Sequence, residues 1–294
     1  MYQKLQNVLN TINKSKKIKC FFLGNTAKSE KPSFYVSDVR ENSKFIFASA
    51  IIFNGKTAKK ITRLIDGKVK YILLDTEKKV LSKSKKRIVN IEKTAKKEIK
   101  KSEIFTYKGN DLTVDAAETF IKDFYISDIR GVGGKKILVI GTGNIGFKLA
   151  LKLVEDGADV FLYRRSVKVL KNITEAINFI KPKGTIAKAT KINFKNLNMS
   201  KFDIVVGATD GKSVLTKKHI NTFNQNSFLL DIGKGILKKD ALDLGIKKSI
   251  KLFRLDITPA YFGYLENVIT TKKLSKIKKQ NSRKINGLTL ANKG

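Results

Sequence analysis

The chain has 294 residues, which suits two domains of about 150 residues each. Its hydrophobic share of 41% excludes general disorder. Basic residues outnumber acidic ones by 61 to 25, giving a formal net charge of +36, but only eight are arginine and the lysines occur along the whole chain. We interpret this as general lysine enrichment of the kind an AT-rich genome produces. We expect no nucleic-acid partner, since such a site typically clusters its charge and uses arginine for phosphates.

The sequence has one cysteine, Cys20, and one histidine, His219. A single cysteine excludes an internal disulfide. Structural zinc sites use four cysteine or histidine ligands, so with one of each we do not expect such a site. The N-terminus carries no apolar leader-like run, and no later stretch reaches 18 apolar residues. We therefore expect a cytoplasmic protein that needs neither a metal nor a membrane.

The N-terminal region alternates short apolar runs with turns and a helical pattern, which predicts a small α/β domain over residues 1–112. Asn54-Gly55 and Asp66-Gly67 are interpreted as turns. We expect this domain to supply substrate-binding or catalytic groups. The pattern predicts a helix over residues 57–65 and strands over residues 18–23, 34–36, 45–53, 69–74, 87–91 and 104–107.

A helix is predicted to follow, with Thr113 as its cap and Val114, Ala117, Ile121 and Phe124 on one face. Residues 113–130 would connect the two domains. Residues 131–270 would form the second domain. The basic segment 271–294 is either a last helix that packs on the first domain or a frayed tail.

The strongest motif lies between Lys135 and Arg165, where the sequence is KKILVIGTGNIGFKLALKLVEDGADVFLYRR. An apolar strand leads into a G-x-G-x-x-G turn, an amphipathic helix ended by Gly157, and a second strand. In this context the three glycines permit a tight turn, close approach to a pyrophosphate and helix packing. The motif predicts a dinucleotide-binding site made by Gly141, Thr142, Gly143, Asn144, Ile145 and Gly146.

The residues after the second strand are Arg164, Arg165 and Ser166. A domain that binds NAD commonly has a carboxylate here for the ribose hydroxyls. Two guanidinium groups and a hydroxyl suit a 2′-phosphate instead. We therefore predict NADP as the cofactor, with NAD less favoured.

Further strands are predicted over residues 202–207, 228–232 and 252–257, which together with the first two make a doubly wound parallel Rossmann sheet. The loop after the first of these places Ala208 and Thr209 beside the cofactor. Asp231 and Lys234 follow the next strand and are candidates for substrate contact, with Asp256 a weaker one.

Residues from about 108 to 267 resemble the amino-acid dehydrogenase-like two-domain NAD(P)-binding Rossmann family, which includes shikimate dehydrogenase, glutamyl-tRNA reductase and methylenetetrahydrofolate dehydrogenase. The YRRS segment is similar in position to the Asn-Arg-Thr with which two of these enzymes hold the NADPH phosphate. The chain departs from them elsewhere, since Cys20 lies in an apolar strand and no Ser-x-Ser shikimate signature is present. The resemblance implies a fold and a cofactor but no particular substrate.

We expect an NADP(H)-dependent dehydrogenase or reductase that moves a hydride to or from a small carbonyl, hydroxyl or imine compound between the domains. Lys108 and Asp111 are the predicted acid/base pair, because a carboxylate orients a lysine whose pKa desolvation lowers. Asn110 is a further substrate-binding candidate. Lys56 and Lys234 are alternatives for the lysine, and His219 is an alternative proton shuttle. A non-catalytic NADP sensor and a polyanion-binding protein stay open, as does a homodimer.

Overall fold

The computed structural model describes residues 1–25, 34–78, 90–195, 197–233, 235–280, 282–285 and 288–291. The chain divides into two compact units, one of residues 1–109 and 261–294 and one of residues 110–260. Both are built on mainly parallel sheets, so the predicted α/β fold class is confirmed. In the described residues no helix combines the length and apolarity that a membrane crossing requires.

The first unit contains a mixed sheet in the order β2-β4-β1-β5-β6, in which the last four strands are parallel and β2 and the short β3 pair antiparallel with β4. Its elements are α1 (Tyr2–Lys14), β1 (Ile18–Asn25), β2 (Phe34–Val36), β3 (Arg40–Glu41), β4 (Phe45–Ile52), α2 (Gly55–Ile65), β5 (Tyr71–Asp75), α3 (Ile91–Glu98) and β6 (Glu103–Tyr107).

Helix α1 shows how the sequence pattern builds this unit's core. Leu5, Leu9 and Ile12 recur at helical spacing, so one face of the helix is apolar. All three side chains are buried in the same cluster as β1 and α2. The helix is therefore held by burial of that face.

The second unit contains six parallel strands in the order β12-β11-β10-β7-β8-β9, which is the doubly wound order that the motif predicted. Its elements are α4 (Gly109–Phe124), β7 (Lys136–Ile140), α5 (Asn144–Glu155), β8 (Asp159–Tyr163), α6 (Val167–Ile180), β9 (Ala189–Lys191), β10 (Ile204–Gly207), α7 (Lys217–Asn221), β11 (Phe228–Asp231), α8 (Lys239–Lys247) and β12 (Lys251–Arg254).

A long helix, α9 (Thr258–Gln280), carries the chain back into the first unit. Tyr261 packs on Phe22 of β1, with ring centroids 4.4 Å apart. Lys272 forms an ion pair with Glu103 of β6. A short hairpin of β13 (Ser282–Ile285) and β14 (Leu288–Ala291) follows. Residues 271–280 thus continue a helix that packs on the first unit.

Three sequence expectations were wrong in detail, and in two of them a side-chain cap was missed. Asn54-Gly55 begins α2, since the Asn54 side chain accepts a hydrogen bond from Thr57 N at 2.8 Å. Helix α4 begins before Thr113, with Asp111 in its first turn. Of the strand expected over residues 87–91, residues 87–89 lie outside the described ranges, and Ile91 begins α3 behind the Asn90 cap.

Candidate functional site

The glycine turn of the second unit has the close backbone packing that only glycine allows at two positions. Gly141 has φ +97°, and a Cβ there would lie 2.7 Å from the carbonyl oxygen of Ala208. A Cβ on Gly146 would lie 2.0 Å from the Gly141 oxygen. These contacts bring α5 against the turn and the turn against the loop after β10.

Gly143 is different, because a Cβ there would have no heavy atom within 4 Å. It is the N-cap residue of α5 and offers no side chain to the first turn of this 12-residue helix. Backbone N–H groups at such an uncapped helix start favour an anion. The turn therefore fits a pyrophosphate, with Gly143 leaving room for close approach.

Arg164 reaches the same turn from the end of β8. Its Nη1 donates a hydrogen bond to the Thr142 carbonyl oxygen at 2.8 Å, and Gly141 N donates to the Tyr163 oxygen at 2.9 Å. Thr142 is 1% exposed, and its Oγ1 has no hydrogen-bond partner among the described residues. Thr142 thus contributes its backbone, and not its hydroxyl, to the surface of the turn.

Arg165 and Ser166 are exposed beside Arg164. Ser166 is the N-cap residue of α6, yet its side chain makes no capping hydrogen bond. An exposed guanidinium, a hydroxyl and a helix start thus occur together, which is the donor set that a phosphate monoester needs.

Two further loops meet the glycine turn at the carboxyl edge of the sheet. Ala208 contacts Gly141 through the close approach described above, and a Cβ on Gly233 would lie 2.0 Å from the Thr209 oxygen. The Thr209 hydroxyl donates to the Lys212 oxygen at 3.1 Å. The structure therefore brings Ala208 and Thr209 together with the glycine turn.

Helix α4 joins this site through its first turn. Asn110 Nδ2 donates to Asn144 Oδ1 at 3.2 Å. Asp111 forms an ion pair with Lys148 of α5. The same two helices are linked again by Lys152 and Glu118 at 2.6 Å. Asp111 is therefore part of a set of ion pairs between α4 and α5.

The remaining candidates are Asp231, Lys234, Asp256, Lys56 and Lys108. Asp231 Oδ2 accepts from Gly235 N at 2.6 Å and from Ile236 N at 3.3 Å, while its Oδ1 is buried without a partner in the described part of the chain. Lys234 lies outside the described residues. Asp256 Oδ1 accepts from Thr258 N at 2.9 Å. Lys56 and Lys108 are exposed residues of the first unit.

The structure also shows a cavity that sequence reasoning missed. It has a volume of about 720 Å³ and lies in the second unit, between the ends of β8 and β9 and helix α7. Tyr163, Phe194 and His219 line it. In the sequence, the indication of this cavity is Phe194, an aromatic residue in a loop of asparagines and lysines.

A buried cluster of polar side chains in the first unit was also not predicted from the sequence. Asn25 and Asp75 are buried at the carboxyl ends of the paired strands β1 and β5. Asn25 Nδ2 donates to the Asp75 carbonyl oxygen at 3.3 Å. Burial, and the charge of Asp75, raise the pKa of Tyr261 to about 12 and hold the pKa of Tyr107 well above its usual range. Both phenols therefore stay protonated donors.

Comparison with known proteins points to one part of the chain. Residues 126–235 match the family of shikimate/quinate 5-dehydrogenases. Glutamyl-tRNA reductase from Thermosipho melanesiensis is 30% identical over 110 residues, which are 36% of this chain and 27% of that protein. The match therefore spans about a quarter of the curated relative.

Solved structures resemble a larger share of the chain at low identity. The A chain of dipicolinate synthase from Bacillus subtilis has a TM-score of 0.44 and 13% identity, covering 90% of this chain and 98% of that one. A shikimate dehydrogenase in complex with NADP+ also has a TM-score of 0.44 and 13% identity, covering 81% and 84%.

The matched residues 126–235 include the glycine turn, Arg164 and the loop of Ala208 and Thr209. This part of the chain is therefore similar to the shikimate/quinate 5-dehydrogenases and to a glutamyl-tRNA reductase, two of the enzymes that the sequence resemblance named.

Proposed function

We propose that the protein is an NADP(H)-dependent oxidoreductase that transfers a hydride to or from a small carbonyl, hydroxyl or imine compound. One observation carries the proposal: Arg164 is hydrogen-bonded to the glycine turn at Thr142, the residue before Gly143, and a Cβ on Gly143 would have no heavy atom within 4 Å. The matching family and relative are named as a dehydrogenase and a reductase, which supports a pyridine nucleotide as the cofactor.

The preference for NADP over NAD rests on the segment after β8. Arg165, Ser166 and the start of α6 would hold the 2′-phosphate, because their donors lie exposed and adjacent. The segment contains no carboxylate to accept bonds from a free ribose 2′-hydroxyl. Such a carboxylate would repel a 2′-phosphate.

The other cofactor contacts follow from the turn. Backbone N–H groups at Gly143, Asn144 and Ile145 would bind the pyrophosphate, and the loop of Ala208 and Thr209 would bound the nicotinamide end. The bound nicotinamide supplies or accepts the hydride. The residues of this chain would orient it and hold the anionic groups.

For the proton that accompanies hydride transfer we propose Lys108 and Asp111. Lys108 Nζ would give or take the proton at the substrate oxygen or nitrogen, and Asp111 would orient the group that does so. Lys148 pairs with Asp111, so that carboxylate is fixed against α5. Asn110, Asp231 and Lys234 are proposed substrate contacts.

Fluorescence titration of the protein with NADPH and NADH tests the cofactor assignment. We expect NADPH to bind at least tenfold more tightly than NADH, and equal affinity would contradict the assignment. The rate of NADPH oxidation with a panel of carbonyl and imine compounds, with NADP+ reduction by alcohols and amines as the reverse reaction, tests catalysis. Tight binding without turnover on any compound would favour the non-catalytic NADP sensor.

A further inference from the structure

The most exposed apolar side chains of the described residues lie at one edge of the second unit's sheet. Ile129 is fully exposed, and Ile186, Phe179 and Ile126 are 96%, 90% and 79% exposed, more than any other large apolar residue in the ranges that the structure describes. Ile126 and Ile129 precede β7, and Phe179 and Ile186 precede β9. Because β7 and β9 belong to one parallel sheet, all four side chains lie at its amino edge, opposite the carboxyl edge that carries the glycine turn.

Hydrogen bonds fix the turn between α6 and β9. Asn178 Nδ2 donates to the Ala189 oxygen and Ala189 N donates to Asn178 Oδ1, both at 2.8 Å. Lys181 Nζ donates to the Thr185 and Ala187 oxygens at 2.7 and 2.6 Å. The two apolar side chains of this turn therefore project from a backbone that is held in place.

The segment before β7 is fixed as well. Gly134 N donates to the Gly157 oxygen at 2.9 Å, which ties this segment to the loop before β8. Asp128 Oδ1 accepts from Arg130 N at 2.9 Å, so the backbone on both sides of Ile129 is held. Apolar side chains that a protein keeps in water in this way mark a surface that contacts another body.

The amino edge is also basic. Four exposed lysines begin its strands or lie in the segments before them, and none forms an ion pair with an acid among the described residues: Lys136, Lys183, Lys188 and Lys251. Two half-buried acids of this edge are bonded to backbone instead. Asp203 Oδ2 accepts from Lys136 N at 2.7 Å, and Asp159 Oδ1 accepts from Lys188 N at 3.4 Å. The lysine side chains are therefore the exposed charges of this edge.

A flat, anionic partner fits this combination of groups. The apolar side chains project from two separate segments, and β7 and β9 are two strand spacings apart, about 10 Å. A bilayer surface accepts such spaced apolar side chains between its headgroups, while lysines contact anionic lipids. Isoleucine offers no stacking face to a nucleic-acid base. A second copy of the same edge would bring lysines against lysines.

We propose that the amino edge of this sheet binds the surface of an anionic lipid bilayer. Ile129, Phe179 and Ile186 insert among the headgroups, and Lys183 and Lys188 contact the lipid phosphates. The glycine turn lies at the opposite edge, so this binding is independent of the proposed function and leaves the proposed cofactor site in water. Peripheral binding needs no spanning helix, whereas our expectation of no membrane partner rested on the lack of a long apolar stretch.

Tryptophan fluorescence tests the proposal directly, because the chain has no tryptophan of its own. Phe179→Trp and Ile129→Trp each replace an exposed side chain at the amino edge. Val167→Trp is the matched control, since Val167 is also exposed and lies at the other end of α6. The probes are vesicles of phosphatidylcholine alone and vesicles of phosphatidylcholine and phosphatidylserine in equal parts.

With the anionic vesicles, we expect the emission of both amino-edge tryptophans to shift to shorter wavelength, because the indole leaves water for the headgroup region. The control should not shift, and neutral vesicles should shift none of the three. Failure of the protein to sediment with anionic vesicles overturns the proposal. So does sedimentation with an unshifted Phe179→Trp spectrum, since another surface would then be bound.

Loss of binding provides a second measurement. Serine at Ile129, Phe179 and Ile186 together should lower partition into anionic vesicles by at least about tenfold, since the inserted apolar area is lost. Lys183→Gln with Lys188→Gln should lower it by roughly tenfold or more. The control is Lys168→Gln with Lys212→Gln, two exposed lysines at the carboxyl edge, which should leave partition unchanged.

Two other partners give distinct results with Phe179→Trp. A shift with a single-stranded oligonucleotide and none with vesicles would assign the amino edge to nucleic acid. A shift that grows with protein concentration alone would assign it to a second copy of the chain. Either result overturns the proposal and leaves the proposed function standing.

Discussion

The guanidinium of Arg164 donates a hydrogen bond to the carbonyl oxygen of Thr142 at 2.8 Å. This bond ties the segment after β8 to the glycine turn and gives Arg164 a position over the turn. Arg165 is exposed, and no bond of this kind joins it to the turn in the described part of the chain. The two arginines are therefore not equivalent, although they are adjacent in the sequence.

Their different positions predict different effects of substitution. Arg165→Ala should weaken NADPH binding by about 10- to 100-fold and leave NADH binding nearly unchanged, because a charge-assisted pair with a phosphate stabilises by roughly 1.5–3 kcal/mol. Arg164→Ala should weaken the binding of both NADPH and NADH, since it loosens the turn that we propose binds the pyrophosphate common to both cofactors. Fluorescence titrations with both cofactors measure the two effects.

Arg130→Ala, outside this segment, controls for the loss of one positive charge in a basic protein. If Arg165→Ala reduced NADH and NADPH affinity by the same factor, the 2′-phosphate would not be bound where we place it.

The packing around the glycine turn predicts different effects for two glycine-to-alanine substitutions. Gly143→Ala adds a methyl group that meets no atom of the protein, at an ordinary φ of −79°. The variant should fold as the wild type does and lose NADPH affinity by more than tenfold. Gly146→Ala places the methyl group 2.0 Å from the Gly141 oxygen, so it should destabilise the fold by about 1–3 kcal/mol.

Thermal unfolding and NADPH titration distinguish the two variants. Tight NADPH binding by a well-folded Gly143→Ala variant would show that no pyrophosphate approaches this residue.

The elements that the sequence predicts well are those whose whole pattern lies within a short stretch of the chain. The run from β7 through α5 to β8 carries its strand, turn and helix patterns within about 30 consecutive residues, so the sequence alone indicates the fold and the glycine turn. Helix α3 was missed, because its segment IEKTAKKE has few apolar residues and depends on the Asn90 cap. The cavity wall was also missed, since Tyr163, Phe194 and His219 meet only through the strand order of the sheet.

Asp111 offers a direct test of the proposed acid/base pair. Its ion pair with Lys148 is partly exposed, with 39% and 34% of the two side chains accessible, so removing the charge should change stability by less than about 1 kcal/mol. Asp111→Asn should nevertheless reduce kcat by about 100-fold or more, the usual effect of losing general acid/base catalysis. The rate of NADPH oxidation and the thermal midpoint are the two measurements.

Asp115→Asn is the matched control, because Asp115 pairs with Lys152 between the same two helices at 3.4 Å. Equal, small effects of the two substitutions on kcat would assign Asp111 to helix packing alone.

Cys20 provides a probe of unfolding, because it is the one cysteine of the chain and lies buried in β1. Burial raises the pKa of its thiol from 9.0 to about 12. The folded protein therefore keeps this proton at pH values where the unfolded chain releases it. The contribution of Cys20 to the free energy of unfolding is fully present below pH 9 and is lost as the pH rises toward 12.

Alkylation of Cys20 by iodoacetamide at pH 8.5 should be slow in the native protein and fast in urea, because the thiolate is the reactive form. Mass spectrometry of the intact chain follows the label, and Cys20→Ala gives the blank. A native rate equal to that of a free thiol would mean that this strand is open to solvent.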